Sequence, residues 1–321
     1  MYRDYLIIGG GISGLIAAKT LHNQGKTVTI LDKGRGIGGR LATRRLNYDN
    51  SLIGVIDYGA PHFTAQSATF QNIVQEWLEI GLVKIWSTGF NMDNQTYYCG
   101  VESNRAIAKY LALDLDVHTS TRVTHLEWRD THWQVYTETG KIFTGQKLLL
   151  TPPVPQTLAI LDDSQILLEP EIREKLNQVS YHPCIAILAL FSQPNLIPSP
   201  GGLWLEGNPL KWISCNHQKG ISPSGYGVTL YASSEYSQTN WDKDDHSIVQ
   251  DLLASAATWL NSEILTYQVH RWRYSQADQV YGEPYLEITK PGTLILAGDG
   301  FLGSHLEDAV LSGLAAGNYL N

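Results

Sequence analysis

Three glycines, Gly9, Gly11 and Gly14, stand in the spacing G-x-G-x-x-G directly after the short apolar run 5–8. Glycine at those intervals suits the holding of a pyrophosphate. The first allows a tight turn, the second lets backbone approach the phosphates, and the third lets a helix pack closely on a strand. A helix beginning there would add unpaired N–H groups and a partial positive charge. Asp32 comes eighteen residues after Gly14, where a carboxylate can accept ribose hydroxyls. A second glycine-rich loop follows at 33–40, K-G-R-G-I-G-G-R. Its Arg35 and Arg40 can neutralise a pyrophosphate from another side. Near the far end, Gly298-Asp299-Gly300 follows another apolar run. Asp299 can accept hydroxyls of a polyol chain, and its glycine neighbours admit close backbone approach.

These residues need elements that carry them to one sheet edge. Residues 5–8 read as a strand, and Leu15, Ala18 and Leu21 recur at helical spacing over 13–24, with Gly25 as a natural C-cap. Residues 27–31 are β-branched and alternating, and Asp32 closes them, which makes a βαβ start. Helices are predicted over 70–80 and 104–113, and a three-stranded meander over 122–128, 133–137 and 142–150. Pro152, Pro153 and Pro155 predict a break in regular structure and a boundary between layers or domains. From 158 to 284 strands alternate with one clear helix over 248–260. The last segment repeats the opening: a strand over 294–297, a glycine-rich turn, then a helix. Ser304 and Glu307 fit the capping pattern S-x-x-E, so Glu307 reads as a cap rather than a catalytic acid. Ala309, Gly313 and Gly317, four residues apart, form a stripe of small residues suited to packing against the first helix.

Composition narrows the class. The chain has 321 residues, 43% hydrophobic and 17% charged, which is globular rather than disordered. Lys plus Arg number 23 against 31 for Asp plus Glu, a net charge of -8 that argues against a nucleic-acid partner. No apolar run reaches the roughly twenty residues of a membrane span. Cys99, Cys184 and Cys215 are too scattered for a disulfide framework or a cysteine metal cluster. They read as core residues in a reducing, cytoplasmic protein. Among the 10 histidines no metal-ligand spacing or Ser–His–Asp arrangement stands out, and no metal is expected.

The run D-K-G-R-G-I-G-G-R-L-A-T-R-R from Asp32 resembles the flavin amine oxidases, with their glutathione-reductase-type FAD fold. Within that superfamily it is most similar to the renalase-like oxidoreductases. The resemblance continues at Asp57-Tyr58-Gly59-Ala60 followed by Phe63, returns at His270-Arg271-Trp272-Arg273-Tyr274, and ends at Gly298-Asp299-Gly300-Phe301. It implies an α/β fold: a Rossmann-like FAD-binding domain with an inserted α+β substrate domain built on a mainly antiparallel sheet. The expected FAD-binding domain is discontinuous, 1–65, 99–157 and 285–321, with the substrate domain at 66–98 and 158–284. Non-covalent FAD is the implied cofactor. Its contacts would come from Gly9, Gly11, Ile12, Ser13 and Gly14, then from Asp32, Lys33, Arg35, Gly39 and Arg40. Gly59, Ala60, Pro61 and Val123 complete the middle of that set, and Gly298, Asp299 and Leu306 its end. Two departures stand out: Asp308, where the family usually has glycine, and Val101–Asn104, where relatives often carry a Gly-Met pair.

On the substrate side, alternation along a strand puts His270, Trp272 and Tyr274 on one face and Arg271 and Arg273 on the other. Trp272 is the preferred pocket residue, with Tyr274 and His62 as further candidates for catalysis. The resemblance implies oxidation of isomeric dihydronicotinamide nucleotides, 2- or 6-dihydro NAD(P), to NAD(P)+. Hydride would pass to FAD, and O2 would be the acceptor, giving H2O2. Loss of hydride from a dihydropyridine yields an aromatic cation directly, so no strong base is needed. An amine oxidase or desaturase-type oxidase is the alternative enzyme. A flavin-binding sensor or assembly protein without turnover is the alternative of another class.

Overall fold

The computed structural model describes residues 2–48, 52–90, 94–289 and 292–320. The strand Tyr2–Ile8 lies at the centre of the largest sheet, parallel to Val28–Leu31 on one side and Ile142–Leu150 on the other. Asp116–His118 and Leu294–Ala297 extend the parallel set at its two flanks, and Tyr285–Glu287 adds an antiparallel edge. Ile8 pairs with Leu31 and Leu150, and Leu150 with Leu296. The turns that begin at Gly9, Asp32, Thr151 and Gly298 therefore leave the same carboxyl-terminal edge of the sheet. That edge is where parallel sheets bind ligands. The four-residue strand Val28–Leu31 is wholly buried, as expected where a parallel sheet is covered on both faces.

The predicted meander is present as Val123–Arg129, His132–Thr137 and Ile142–Leu150. Its third strand does double duty. Residues 142–145 pair antiparallel with the meander, and residues 148–150 run parallel to Leu294–Ala297. The helix Ile12–Asn23 ends in a Schellman arrangement: the Gly25 N–H donates to the His22 carbonyl (2.9 Å) and the Lys26 N–H to Leu21 (3.2 Å). The carboxy-terminal helix Leu306–Leu320 packs on it through the small-residue stripe. A Cβ on Gly313 would collide with the Ser13 backbone, and one on Gly317 would stand 3.1 Å from the Ala17 carbonyl.

A second sheet, in the order Gly202–Trp204, Leu210–Cys215, Tyr226–Ala232, Tyr181–Phe191, Ile264–Ala277, is antiparallel through its first four strands. The helix Asp245–Ala256 buries Ile248, Val249 and Leu252 in a core shared with that sheet. Two hairpins accompany it, Thr43–Asn47 with Ile53–Asp57 and Val83–Ser87 with Tyr97–Gly100. The architecture is α/β, with one mixed Rossmann-like sheet and one antiparallel sheet.

The chain divides into two compact units, each discontinuous. The first comprises Met1–Gly39, Ala108–Tyr181 and Ala277–Asn321, and the second Arg40–Ile107 and His182–Gln276. The divisions thus fall at 39, 107, 181 and 276, where boundaries at 65, 98, 157 and 284 were expected. The prolines account for one difference. Pro153 is the N-cap of the helix Val154–Asp163, and Pro155 lies in its first turn. Proline has no N–H to donate, and the first turn of a helix has no partner for one. Pro153 and Pro155 begin a helix of the first unit, and Pro152 lies in the break between that helix and the strand ending at Leu150. A further helix over Pro170–Asn177 starts the same way. Among the described residues no helix is long and apolar enough to cross a membrane.

Candidate functional site

The glycine-rich turn is a built cradle. The third glycine is dictated by space: a Cβ on Gly14 would collide with the Gly9 carbonyl oxygen and approach Thr151 Oγ1. Beside Gly11, by contrast, no atom lies within 4 Å of a Cβ position, which leaves that side of the turn open. Gly11 is also the N-cap of the first helix, with no side-chain cap and no acid in the first turn. Ser13 Oγ, one residue into that helix, is buried without a hydrogen-bond partner. Open space, uncapped N–H groups and an orphan hydroxyl at one helix start suit an anionic diphosphate.

Asp32 ties two loops to this cradle. Its Oδ2 accepts the Gly10 N–H (2.6 Å) and its Oδ1 the Gly34 N–H (2.6 Å). Each carboxylate oxygen keeps a further lone pair for a hydroxyl. The second loop folds directly on the first: the Gly38 N–H donates to the Gly10 carbonyl (2.7 Å), and a Cβ on Gly39 would stand 3.3 Å from Gly11 Cα. Lys33 donates to Gln156 Oε1 (2.9 Å), and Arg35 is exposed. Val123 is buried just after a turn whose Ser120 and Thr121 N–H groups donate to the Gly34 and Asp32 carbonyls. Thr151, which the sequence did not single out, locks the cradle: its hydroxyl reaches the Ile8 and Gly9 carbonyls, both at 3.1 Å.

At the carboxy-terminal turn, Asp299 is buried and starts the short helix Asp299–Leu302. The Gly298 N–H donates to Ser312 Oγ (2.8 Å), which fixes the turn to the last helix. Leu306 begins that helix and is half-buried. Asp308 has a structural task here. Its Oδ2 accepts the His305 N–H (2.9 Å) and lies 3.3 Å from His305 Nδ1. The acid reaches back across the helix start, as the third position of a capping box does. Burial pushes the Asp308 carboxyl up, but hydrogen bonds from His305 outweigh this and hold it below the ordinary value.

The second unit contains the remaining candidates, Arg40, Gly59, Ala60, Pro61, His62, Trp272 and Tyr274. Arg40 Nη1 donates to the Tyr274 and Ser275 carbonyls (3.3 and 3.2 Å), and the Arg40 carbonyl accepts the Ala60 N–H (2.8 Å). A Cβ on Gly59 would collide with that same Arg40 carbonyl, so only glycine fits. Behind this segment lies a network absent from the sequence expectations. Asp57 and Lys219 are fully buried, with Lys219 Nζ 2.7 Å from Asp57 Oδ2. Lys219 also donates to the Pro61 carbonyl (2.6 Å). Asp57 accepts Thr43 Oγ1–H (2.5 Å) and the Asn104 N–H (3.2 Å). Asn104 Nδ2 donates to the Ala60 carbonyl (2.7 Å). Segment 58–61 is therefore gripped at two carbonyls by side chains distant in sequence. Asn104 also gives the departure at Val101–Asn104 a role.

Trp272 lies stacked on Tyr58, with ring centroids 5.5 Å apart and planes 25° from parallel, and its Nε1–H donates to the Tyr58 carbonyl (2.8 Å). His270 sits edge-on to both rings, 4.2 Å from Trp272 and 5.0 Å from Tyr58. Burial, with the Arg44 charge adding to it, holds the His270 imidazole down at about 4. The ring is neutral at physiological pH. On the opposite face Arg271 donates to Asp245, and Arg273 lies over Trp241, as strand alternation requires. His62 belongs to a tight aromatic cluster, 4.8 Å from Tyr97, 5.1 Å from Trp212 and 6.0 Å from Trp86. The free cysteines Cys99 and Cys215 are buried, and burial pushes the Cys184 thiol up to about 12.

Residues 7–77 match the family model for an NAD(P)-binding Rossmann-like domain, and residues 98–321 match that for flavin containing amine oxidoreductase. The chain belongs to the flavin-containing amine oxidoreductase family. It is similar to renalase from Mus musculus, 24% identical over 332 aligned residues that span 97% of this chain and 96% of that one. Amine oxidase [flavin-containing] B from Homo sapiens is 35% identical over 79 residues, 25% of this chain but only 14% of that protein. Among solved structures, a triple mutant of putrescine oxidase shares the fold at a TM-score of 0.70, with 13% identity and coverage of 99% and 98% of the two chains. This family member is an FAD-dependent oxidoreductase. The open cradle at Gly11, the uncapped helix start with its Ser13 hydroxyl, and the Asp32 carboxylate fit the dinucleotide part of FAD.

Proposed function

We propose that this enzyme oxidises 2- or 6-dihydro isomers of NAD(P) to NAD(P)+, with non-covalently held FAD and with O2 as electron acceptor. The observation that carries this reading is the stacked Tyr58–Trp272 pair with a neutral His270 at its edge. It is a flat aromatic wall for a planar ring, and its histidine is not charged at neutral pH. Bound FAD would supply the two-electron chemistry, accepting the hydride and, with one further proton from solvent, reducing O2 to H2O2. The chain's own task is then placement. A dihydropyridine that loses hydride becomes an aromatic cation without giving up a proton to a base. Trp272 is locked by its bond to the Tyr58 carbonyl, so it offers a fixed face rather than a mobile side chain. Strand alternation puts Tyr274 on that face, and His62, packed against Trp86, Tyr97 and Trp212, is the further residue proposed for the pocket. Gly9, Gly11, Ile12, Ser13, Gly14, Asp32 and Asp299 hold the dinucleotide. Arg40, Gly59, Ala60 and Pro61 form the second set of contacts proposed for the cofactor.

The test is product analysis. The purified yellow protein, mixed in air with each isomer, is expected to yield NAD+ and an equal amount of H2O2. Aliphatic diamines and aromatic amines are expected to yield neither. Peroxide with aldehyde from the amines, and none from the isomers, would overturn the reading in favour of an amine oxidase.

A further inference from the structure

The Tyr58 ring of the stacked pair carries a cation over its face that the proposed reaction does not use. Arg44 lies in the hairpin strand Thr43–Asn47, with its guanidinium carbon 4.8 Å from the centroid of the Tyr58 ring. Nη1 donates to Gln268 Oε1 (2.6 Å) and Nη2 to Tyr58 Oη (3.3 Å). Among the described residues no carboxylate pairs with Arg44. A guanidinium has five N–H donors, and two are engaged here, so donors remain for a ligand. Gln268 and Tyr58 hold the planar group in place, which reduces the ordering cost of a two-pronged contact.

The charge balance of this face is informative. His270 is neutral, and Arg271 and Arg273 belong to the opposite face of the strand, where Asp245 and Trp241 engage them. The half-buried His270 and Trp272 rings therefore stand next to a buried Tyr58 that has the Arg44 cation over its ring. A protonated amine would meet repulsion there. A planar ring that carries a phosphate would meet a complementary surface, because the guanidinium fork matches phosphate oxygens.

We infer that Arg44 is the anion-recognising residue of the substrate side, and that it selects a planar ring bearing a phosphate over the same ring without one. The inference deepens the proposed function and rests on that reading for the identity of the ring. Arg44 contacts substrate phosphate and sets specificity; it takes no part in the hydride step.

Binding rather than turnover separates the two claims. Nicotinamide mononucleotide and nicotinamide riboside carry the same ring and sugar and differ by one phosphate. Their dissociation constants would be measured by calorimetry on the oxidised holoprotein, for wild type, Arg44→Gln and Arg44→Lys. Wild type is expected to prefer the mononucleotide by about tenfold or more, the scale of one charge-assisted phosphate contact. Arg44→Gln is expected to erase that preference while riboside affinity changes less than about twofold, and Arg44→Lys to retain part of it. Flavin content and melting temperature of each variant report that it is folded. Equal binding of the two ligands by wild type, or a preference that survives Arg44→Gln, would overturn the inference. If the preference follows Arg44 yet no dihydro isomer is oxidised, the anion site stands and the proposed reaction falls.

Discussion

Replacing Lys219 by methionine removes one charge from a sealed site and keeps most of the side-chain volume. The Lys219–Asp57 pair is inaccessible to water on both sides, with 2.7 Å between Nζ and Oδ2. In Lys219→Met the Asp57 carboxylate would stay buried without its cation, and the Pro61 carbonyl would lose the donor now at 2.6 Å. Breaking a buried pair from one side costs about 3–5 kcal/mol. At about 2–4 °C per kcal/mol for a unit of this size, the melting temperature should fall by roughly 6–20 °C. The double variant Lys219→Met with Asp57→Asn removes both charges, and the oxygen of the introduced amide could still accept from Thr43 and the Asn104 N–H. It should recover at least half of the loss, because a neutral pair carries no stranded charge. Calorimetry on the holoproteins measures both, and released flavin reports whether segment 58–61 has shifted. A Lys219→Met protein that melts within about 2 °C of wild type, or a double variant no better than the single, would refute the assignment of this pair as the anchor of that segment.

Four further outcomes follow from the geometry. Gly59→Ala should lower flavin retention on gel filtration, because its Cβ meets the Arg40 carbonyl and must push two backbones apart. His270→Gln should change the acid side of the stability profile. The imidazole titrates at about 4 in the folded protein against the ordinary 6.5, so the unfolded chain binds the extra proton first. That costs wild type stability as pH falls through this window, and the variant should lose less between pH about 7 and about 5 in paired thermal melts. Asp308→Ala should cost about 0.5–2 kcal/mol, as loss of a helix cap does. The same carboxylate raises the His305 imidazole by hydrogen bonding. A histidine raised in the fold lends stability below its unfolded value and loses it as pH rises through the folded one. The wild-type advantage over His305→Gln should therefore fade from mildly acid to mildly alkaline pH.

The parts of the site that are local in sequence were legible, and the parts that depend on distant partners were not. Gly9, Gly11, Gly14 and Asp32 lie within one βαβ unit, so turn chemistry and spacing locate them without tertiary knowledge. The Ala309–Gly313–Gly317 stripe was legible for a similar reason, since small residues at helical spacing have few uses other than close packing. Lys219 and Asp57 are 162 residues apart, and Thr151 is 142 residues from the carbonyl of Gly9 that it holds. Nothing near any of them in the chain marks the contact. Pro153 and Pro155 show that one residue type supports opposite readings, a break or a helix start, until the following turn is seen. In the sequence Asp308 stands out only as a departure from the family's usual glycine. Its hydrogen bonds to His305 assign it to the helix end.

The proposed hydride transfer from an isomeric dihydronicotinamide to the flavin is tested directly in one experiment. Holoprotein is mixed rapidly with 6-dihydro NAD without oxygen and followed at the oxidised-flavin absorbance band. One equivalent should bleach the flavin fully and leave NAD+ in solution, and air should then restore the spectrum. A flavin that stays oxidised in the presence of the 2- and 6-dihydro isomers would show that the proposed substrate class is wrong.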